Sequence, residues 1–171
     1  IVKTNWILNK VVDKQVVKDL SNALGIDENL ATLLVQRDIT NYDDAKDFFR
    51  PSLTHLHDPF LMKDMDKAVA RVRLALQRHE KIAVFGDYDV DGITATCLLT
   101  SFLRRMGGDV VSYIPGRLEE GYGLNPIAIR QLHSEGVRLI ITVDCGITAV
   151  EEAQLCKQLG IDLVITDHHE C

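Results

Sequence analysis

Four short apolar runs in the second half of the chain constrain its fold more than any other feature. IAVF (82–85), VVSYI (110–114), LIITV (139–143) and LVIT (163–166) are rich in β-branched residues and too continuously apolar for strands with one wet face. Each of the first three is followed by a helical segment, at 93–106, 125–135 and 148–159. Parallel neighbours need a crossover, and crossover helices cover the sheet, so this alternation specifies βαβ units. The expected class is α/β, a parallel β-sheet flanked by helices. The segment 93–106 is apolar nearly all round (Ile93, Ala95, Cys97, Leu98, Leu99, Phe102, Leu103), which predicts a buried helix.

Residues 1–80 read instead as short helices. Asp13 is placed to cap a helix ending at Leu24, with Gly25 as its stop. Asp27 caps the next, with Leu30, Leu33 and Leu34 on one face. Asp43 opens a short amphipathic turn carrying Ala45, Phe48 and Phe49, which Pro51 ends. After an irregular stretch, 51–63, Asp64 caps a longer helix to about His79, with Ala68, Val69, Val72 and Leu76 on one stripe. The pattern changes at Lys81. The chain is therefore expected to divide into a small all-helical N-terminal region, 1–80, and an α/β domain, 81–171.

With 171 residues the chain can bury a core without staples. No apolar run approaches the roughly 20 residues that cross a bilayer, and no basic segment precedes an apolar one at the N-terminus. Cys97, Cys145, Cys156 and Cys171 have neither zinc-ligand spacing nor a disulfide framework, which predicts a cytoplasmic, reducing compartment. Net charge is −6, and its placement matters more than its size. Residues 1–80 hold 12 Lys/Arg and 12 Asp/Glu, whereas 81–171 hold 7 against 13. An acidic domain is no natural binder of phosphates, whose affinity comes from Lys and Arg. Carboxylates that hold divalent cations would invert the local sign.

The acidic residues gather where such cations could sit. The first strand runs into Gly86-Asp87-Tyr88-Asp89-Val90-Asp91-Gly92, the third into Asp144-Cys145-Gly146 and the fourth into Asp167-His168-His169. Ligands of open α/β sheets bind outside the carboxyl ends of the strands. Four or five carboxylates converging there would repel without a cation, and Asp with His suits Mn²⁺, with Mg²⁺ as the harder alternative. A calcium EF-hand is a poor match: the twelfth position from Asp87 is Leu98, where a bidentate Glu is needed, and a strand precedes the run. Capping or turn formation explains one Asp per turn, not three alternating ones.

DYDVDG at 87–92, VDCG at 143–146 and DHH at 167–169, in that order, resemble the DHH phosphoesterase superfamily. The pattern at 30–39 and 45–69, and the loop PGRLEEGYGL at 115–124, are similar to its RecJ branch of single-stranded-DNA-specific exonucleases. The resemblance covers nearly the whole chain and implies a DHH-type, Rossmann-like sheet. It implies Asp89 and Asp91 as metal ligands, Asp87 as a ligand or as an acceptor behind one, Asp144 bridging two metals, and His168 completing one of the ligand sets. Asp167 and His169 would be catalytic, the first orienting or assisting, the second facing the scissile phosphate. The N-terminus of the 93–106 helix would add a positive dipole end. The implied activity is metal-dependent hydrolysis of single-stranded DNA from its 5′ end, in recombination and repair, with two Mn²⁺ or Mg²⁺ ions as cofactor. The implied partners are single-stranded DNA, single-stranded-DNA-binding proteins and recombination proteins, with no membrane. The family pattern continues past DHH with a further metal-binding Asp and a nucleic-acid-binding domain, so Ile1–Cys171 is expected to be an N-terminal piece with its catalytic domain truncated.

Two other functions compete. A DHH phosphodiesterase of short oligonucleotides or cyclic dinucleotides would not need the helices at 13–79. A non-catalytic scaffold of a replication or repair assembly would not need Asp89, Asp91, Asp144 and His168. Among further candidates, Arg117 could hold a phosphate by paired hydrogen bonds or pair with Glu119 or Glu120. Tyr122 could stack a base or pack locally. His55 and His57 have metal-like spacing but sit in a proline-flanked connector. Cys97 and Cys156 read as small core residues, Cys145 as a steric neighbour of Asp144, and Arg104 and Arg105 as complements to the C-terminus of their helix.

Overall fold

The computed structural model describes residues 12–116, 121 and 123–170. The chain divides into two compact units, the first ending at Asp58 and the second beginning at Pro59.

The first unit holds α1 (Lys14–Leu24), α2 (Glu28–Val35), α3 (Tyr42–Phe49) and a 3-10 turn at Leu53–His55. Asp13 accepts the Gln15 N–H, Gly25 ends α1 in the left-handed region at φ 66, and Asp27 accepts the Asn29 N–H at the start of α2. The cap of α3 is Asn41, not Asp43; Asn41 accepts the Asp44 N–H, and Asp43 sits in the first turn. There its charge faces the positive end of the helix. Val17, Leu20, Ala31, Leu34 and Ala45 form the core of this unit. Leu30, Leu33, Phe48 and Phe49 stay exposed, because Ala31, Leu34 and Ala45 take the inward side.

The second unit opens with a 3-10 turn at Pro59–Leu61 and continues α4 (Met65–Gln77), β1 (Lys81–Gly86), α5 (Val90–Arg105), β2 (Val110–Tyr113), α6 (Pro126–Ser134), β3 (Val137–Val143), α7 (Val150–Leu159) and β4 (Asp162–Thr166). The strands form one parallel sheet in the order β2-β1-β3-β4. Successive side chains alternate between its faces. Ile82, Val84, Leu139 and Ile141 pack with Ala75 of α4 and Leu103 of α5, while Ala83, Phe85 and Ile140 pack with Ala128, Ile129 and Leu132 of α6 and Cys156 of α7. Cover on both faces leaves β1 and β3 almost wholly buried, which is why they read as unbroken apolar runs. Edge strand β4 is only partly covered.

Composition changes at Lys81, yet α4 belongs with the sheet through Ala75, Val72 and Leu76. Arg71 of α4 also reaches Asp162 of β4 and Glu80, each at 2.6 Å. Asp64 does not cap α4: it lies at φ 57, makes no capping bond, and pairs with Lys67 Nζ at 2.6 Å.

The other departure is α5, which is not buried all round. Its buried positions are Gly92, Thr96, Thr100 and Leu103, whereas Val90, Ile93, Cys97, Leu98 and Phe102 are exposed. Closeness to the strand decides which side turns inward. A Cβ at Gly86 would overlap Thr96 Oγ1, and one at Gly92 would overlap the Asp87 backbone, so these two glycines let the start of α5 lie directly on the end of β1. No helix among the described residues is long and apolar enough to cross a membrane.

Candidate metal centre

From β1 the chain crosses to β2 on one side, then returns past β1 to β3 on the other. The carboxyl ends of β1 and β3 therefore flank the switch point, where open α/β sheets form their crevice. Asp87 directly follows β1, Asp144 follows β3 and Asp167 follows β4. Carboxylate oxygens of Asp87, Asp89 and Asp144 lie within 4.8 Å of one another, and Asp144, His168 and His169 form a second group by the same measure. Asp144 belongs to both.

Local structure holds each side chain in place. Asp89 is the N-cap of α5, and its Oδ1 accepts the Asp91 and Gly92 N–H groups, both at 3.0 Å. Those bonds hold its carboxyl below the usual carboxylate range. Asp87 is 3% exposed, and its Oδ1 has no hydrogen-bond partner among the described residues. Burial, with Asp89 and Asp144 alongside, pushes its carboxyl up. Leaving such an atom unpaired costs about 1–3 kcal/mol, and more when it is charged. A cation resolves that cost, so the orphaned oxygen and the hard oxygen–imidazole donor set both fit a divalent metal.

Asp144 lies in the left-handed region at φ 63, which costs a non-glycine residue about 1 kcal/mol. Its amide donates to the Thr166 carbonyl at 3.0 Å, and its Oδ1 is 2.9 Å from His168 Nε2. The Asp167 side chain is only 2% exposed. It accepts the Ile147 N–H at 3.0 Å and the His168 and His169 N–H groups at 2.8 and 3.2 Å, and it lies 2.7 Å from His169 Nδ1. Burial opposes its ionisation, but these bonds outweigh burial and keep the carboxyl below the usual range. The same Asp167 contact holds the His169 imidazole above its ordinary value.

The family model for the N-terminal domain of the DHH family matches residues 81–171. The chain belongs to the DHH family. It is 42% identical over 168 residues to the single-stranded-DNA-specific exonuclease RecJ of Bacillus subtilis (strain 168), covering 98% of this chain and 21% of the relative. The corresponding RecJ of Thermus thermophilus is 42% identical over 108 residues, covering 63% of this chain and 16% of that protein. Among solved structures, RecJ in complex with Mn²⁺ from Thermus thermophilus superposes with a TM-score of 0.66 at 29% identity, over 94% of this chain and 22% of that one. An exonuclease RecJ bound to manganese gives 0.60 at 41% identity, over 64% and 28%. The chain thus spans about a fifth of the length of these curated relatives.

Of the residues singled out in the DHH motifs, Asp87, Asp89, Asp144 and His168 come together, and a ring nitrogen of His169 joins the group around Asp144. Asp91 lies outside both groups; its amide serves Asp89 and its side chain is exposed in the first turn of α5. Arg117 and Tyr122 fall outside the described residues. Cys145 is buried with its Sγ 3.8 Å from the Phe85 carbonyl, and burial beside Asp167, Asp87 and Asp144 pushes its thiol up to about 12. Its Sγ lies outside both groups of potential ligand atoms. His55 accepts the Ser52 N–H at 3.3 Å as part of a local cap, and Arg104 donates twice to the Val110 carbonyl, at 3.1 and 2.8 Å. Cys97 is exposed rather than a core residue. The Ile147 amide on Asp167 had no sequence signal, because a backbone donor leaves no trace in residue type.

Proposed function

We propose that this chain forms the metal-binding part of an exonuclease that hydrolyses single-stranded DNA from its 5′ end, using Mn²⁺ with Mg²⁺ as substitute. The observation that carries the reading is the convergence of Asp87, Asp89, Asp144, His168 and His169 at the switch point of the sheet. The RecJ relatives, named as single-stranded-DNA-specific exonucleases, support the substrate, and their manganese- and magnesium-bound structures support the cation.

A pair of divalent cations supplies Lewis-acid activation of water and neutralises charge at the attacking and leaving oxygens of a phosphodiester. Asp87, Asp89 and His168 would hold them, with Asp144 as the shared ligand and Asp91 as a further carboxylate in the first turn of α5. Asp167 fixes His169 by its Nδ1, favouring an imidazolium that faces the phosphate as a charge and proton donor. The cytoplasmic setting is supported by Cys97, Cys145 and Cys156, all free thiols. Recombination and repair, with single-stranded-DNA-binding proteins nearby, is the setting that such a substrate would have.

The test is digestion of a 5′-labelled single-stranded oligonucleotide and its duplex in Mn²⁺. It uses the chain alone and the chain grafted in place of the equivalent segment of the Bacillus subtilis relative. The graft should release mononucleotides from the single strand, spare the duplex, and lose activity with Asp144→Ala. Hydrolysis confined to dinucleotides or cyclic dinucleotides, or unaffected by Asp144→Ala, would overturn the reading.

A further inference from the structure

Asp144 can serve both ligand groups only if the ends of β3 and β4 are held in one register. Two threonines occupy that junction. Thr142 is fully buried in β3, two residues before Asp144, and Thr166 ends β4 just before Asp167. The Thr166 hydroxyl donates to the Thr142 carbonyl at 2.6 Å, and the Thr142 hydroxyl accepts the Thr166 N–H at 3.3 Å. The Thr166 carbonyl then accepts the Asp144 N–H at 3.0 Å, closing the stitch on the residue with the strained backbone. Thr142 Oγ1 also lies beneath the following turn, 3.3 Å from where a Cβ on Gly146 would stand. A parallel ladder needs no side-chain hydroxyls, and valine would fill both positions with equal volume and better burial. The hydroxyls therefore serve something other than pairing of the strands.

We propose that Thr142 and Thr166 are positioning residues of the metal centre, their hydroxyls locking Asp144 against His168. The assignment rests on the metal reading above. Their link to the metal centre runs through the Asp144 backbone, whose amide donates to the Thr166 carbonyl. Partners lying behind metal ligands typically contribute about 10- to 100-fold in metal affinity.

Thr166→Val removes the hydroxyl and keeps the β-branched shape, and Thr166→Ser returns the hydroxyl. Mn²⁺ affinity by calorimetry, hydrogen exchange of the Asp144 amide in metal-free protein, and thermal melting are compared across wild type and both variants. Thr166→Val is expected to weaken Mn²⁺ by about tenfold or more and to speed Asp144 amide exchange, with Thr166→Ser recovering both. Thr142→Val, which removes the other hydroxyl, covers the case in which Thr166→Val does not fold. Wild-type affinity and wild-type amide protection in the valine variants would overturn the assignment, as would equal losses in Thr166→Val and Thr166→Ser. If the wild type itself binds no Mn²⁺, the metal reading is what fails, and Asp144 exchange still decides whether the stitch holds.

Discussion

His168 Nε2 and Asp144 Oδ1 lie 2.9 Å apart although 24 positions separate them in sequence. The contact ties the end of β4 to the end of β3 and makes Asp144 common to a carboxylate group and an imidazole group. Three carboxylates held this close repel one another in the absence of a cation. Stability has been given up at this spot, and that cost leads to the first prediction.

Asp87→Asn should stabilise the metal-free protein at neutral pH by about 1 kcal/mol, since it removes a buried charge beside two others. The sign follows from the raised carboxyl. A folded-state value above the unfolded one favours folding at low pH, and this contribution is lost as pH rises through the folded value. The variant should therefore lose that part of the pH dependence. Urea unfolding at several pH values measures both effects; a destabilised Asp87→Asn at neutral pH would contradict the charge argument.

The two members of the Asp167–His169 pair should respond to pH in opposite senses. The raised imidazole of His169 stabilises the fold below the ordinary imidazole value and stops doing so as pH rises through its own. The lowered carboxyl of Asp167 stabilises above the ordinary carboxylate value and stops as pH falls through its own. In metal-free protein, NMR titration should find His169 above a free histidine, and Asp167→Asn should bring it down. An unchanged His169 in that variant would remove Asp167 as the cause.

Gly92→Ala should cost roughly 1–3 kcal/mol, because its Cβ meets the Asp87 backbone and the start of α5 must shift. The same shift moves Asp89 off its capping bonds to Asp91 and Gly92, so Mn²⁺ affinity should fall together with the urea midpoint. Loss of stability with full metal affinity would show that the close approach serves packing alone.

Thiol accessibility checks the placement of α5. Alkylation of the native protein at pH 8, mapped by mass, should modify the exposed Cys97 and leave Cys145 and Cys156 intact until unfolding. Burial pushes those two thiols up to about 12 and about 11, so neither offers thiolate at that pH. Protection of Cys97 would mean that the outer side of α5 is covered.

Much of this architecture is legible in the sequence because its signals are local. Unbroken apolar runs mark β1 and β3 as buried on both faces, and acidic or imidazole side chains directly after β1, β3 and β4 point to the candidate site. Asp13, Gly25 and Asp27 act within one turn and read correctly. What escapes the sequence depends on partners far along the chain. The inward side of α5 is chosen by contact with β1 through Gly86 and Gly92, which an all-round apolar helix does not reveal. The left-handed Asp144 and the Thr142–Thr166 stitch exist only once β3 and β4 are in register. Asn41 outcompetes Asp43 as a cap because either side chain suits the role and the residue before the first turn takes it.

Calorimetric titration of Mn²⁺ into the wild-type chain and its Asp89→Ala/Asp144→Ala variant is the decisive measurement. Binding by the wild type that the folded variant loses is the predicted result. Equal binding by both, or none by the wild type, would contradict a metal centre at the ends of β1 and β3.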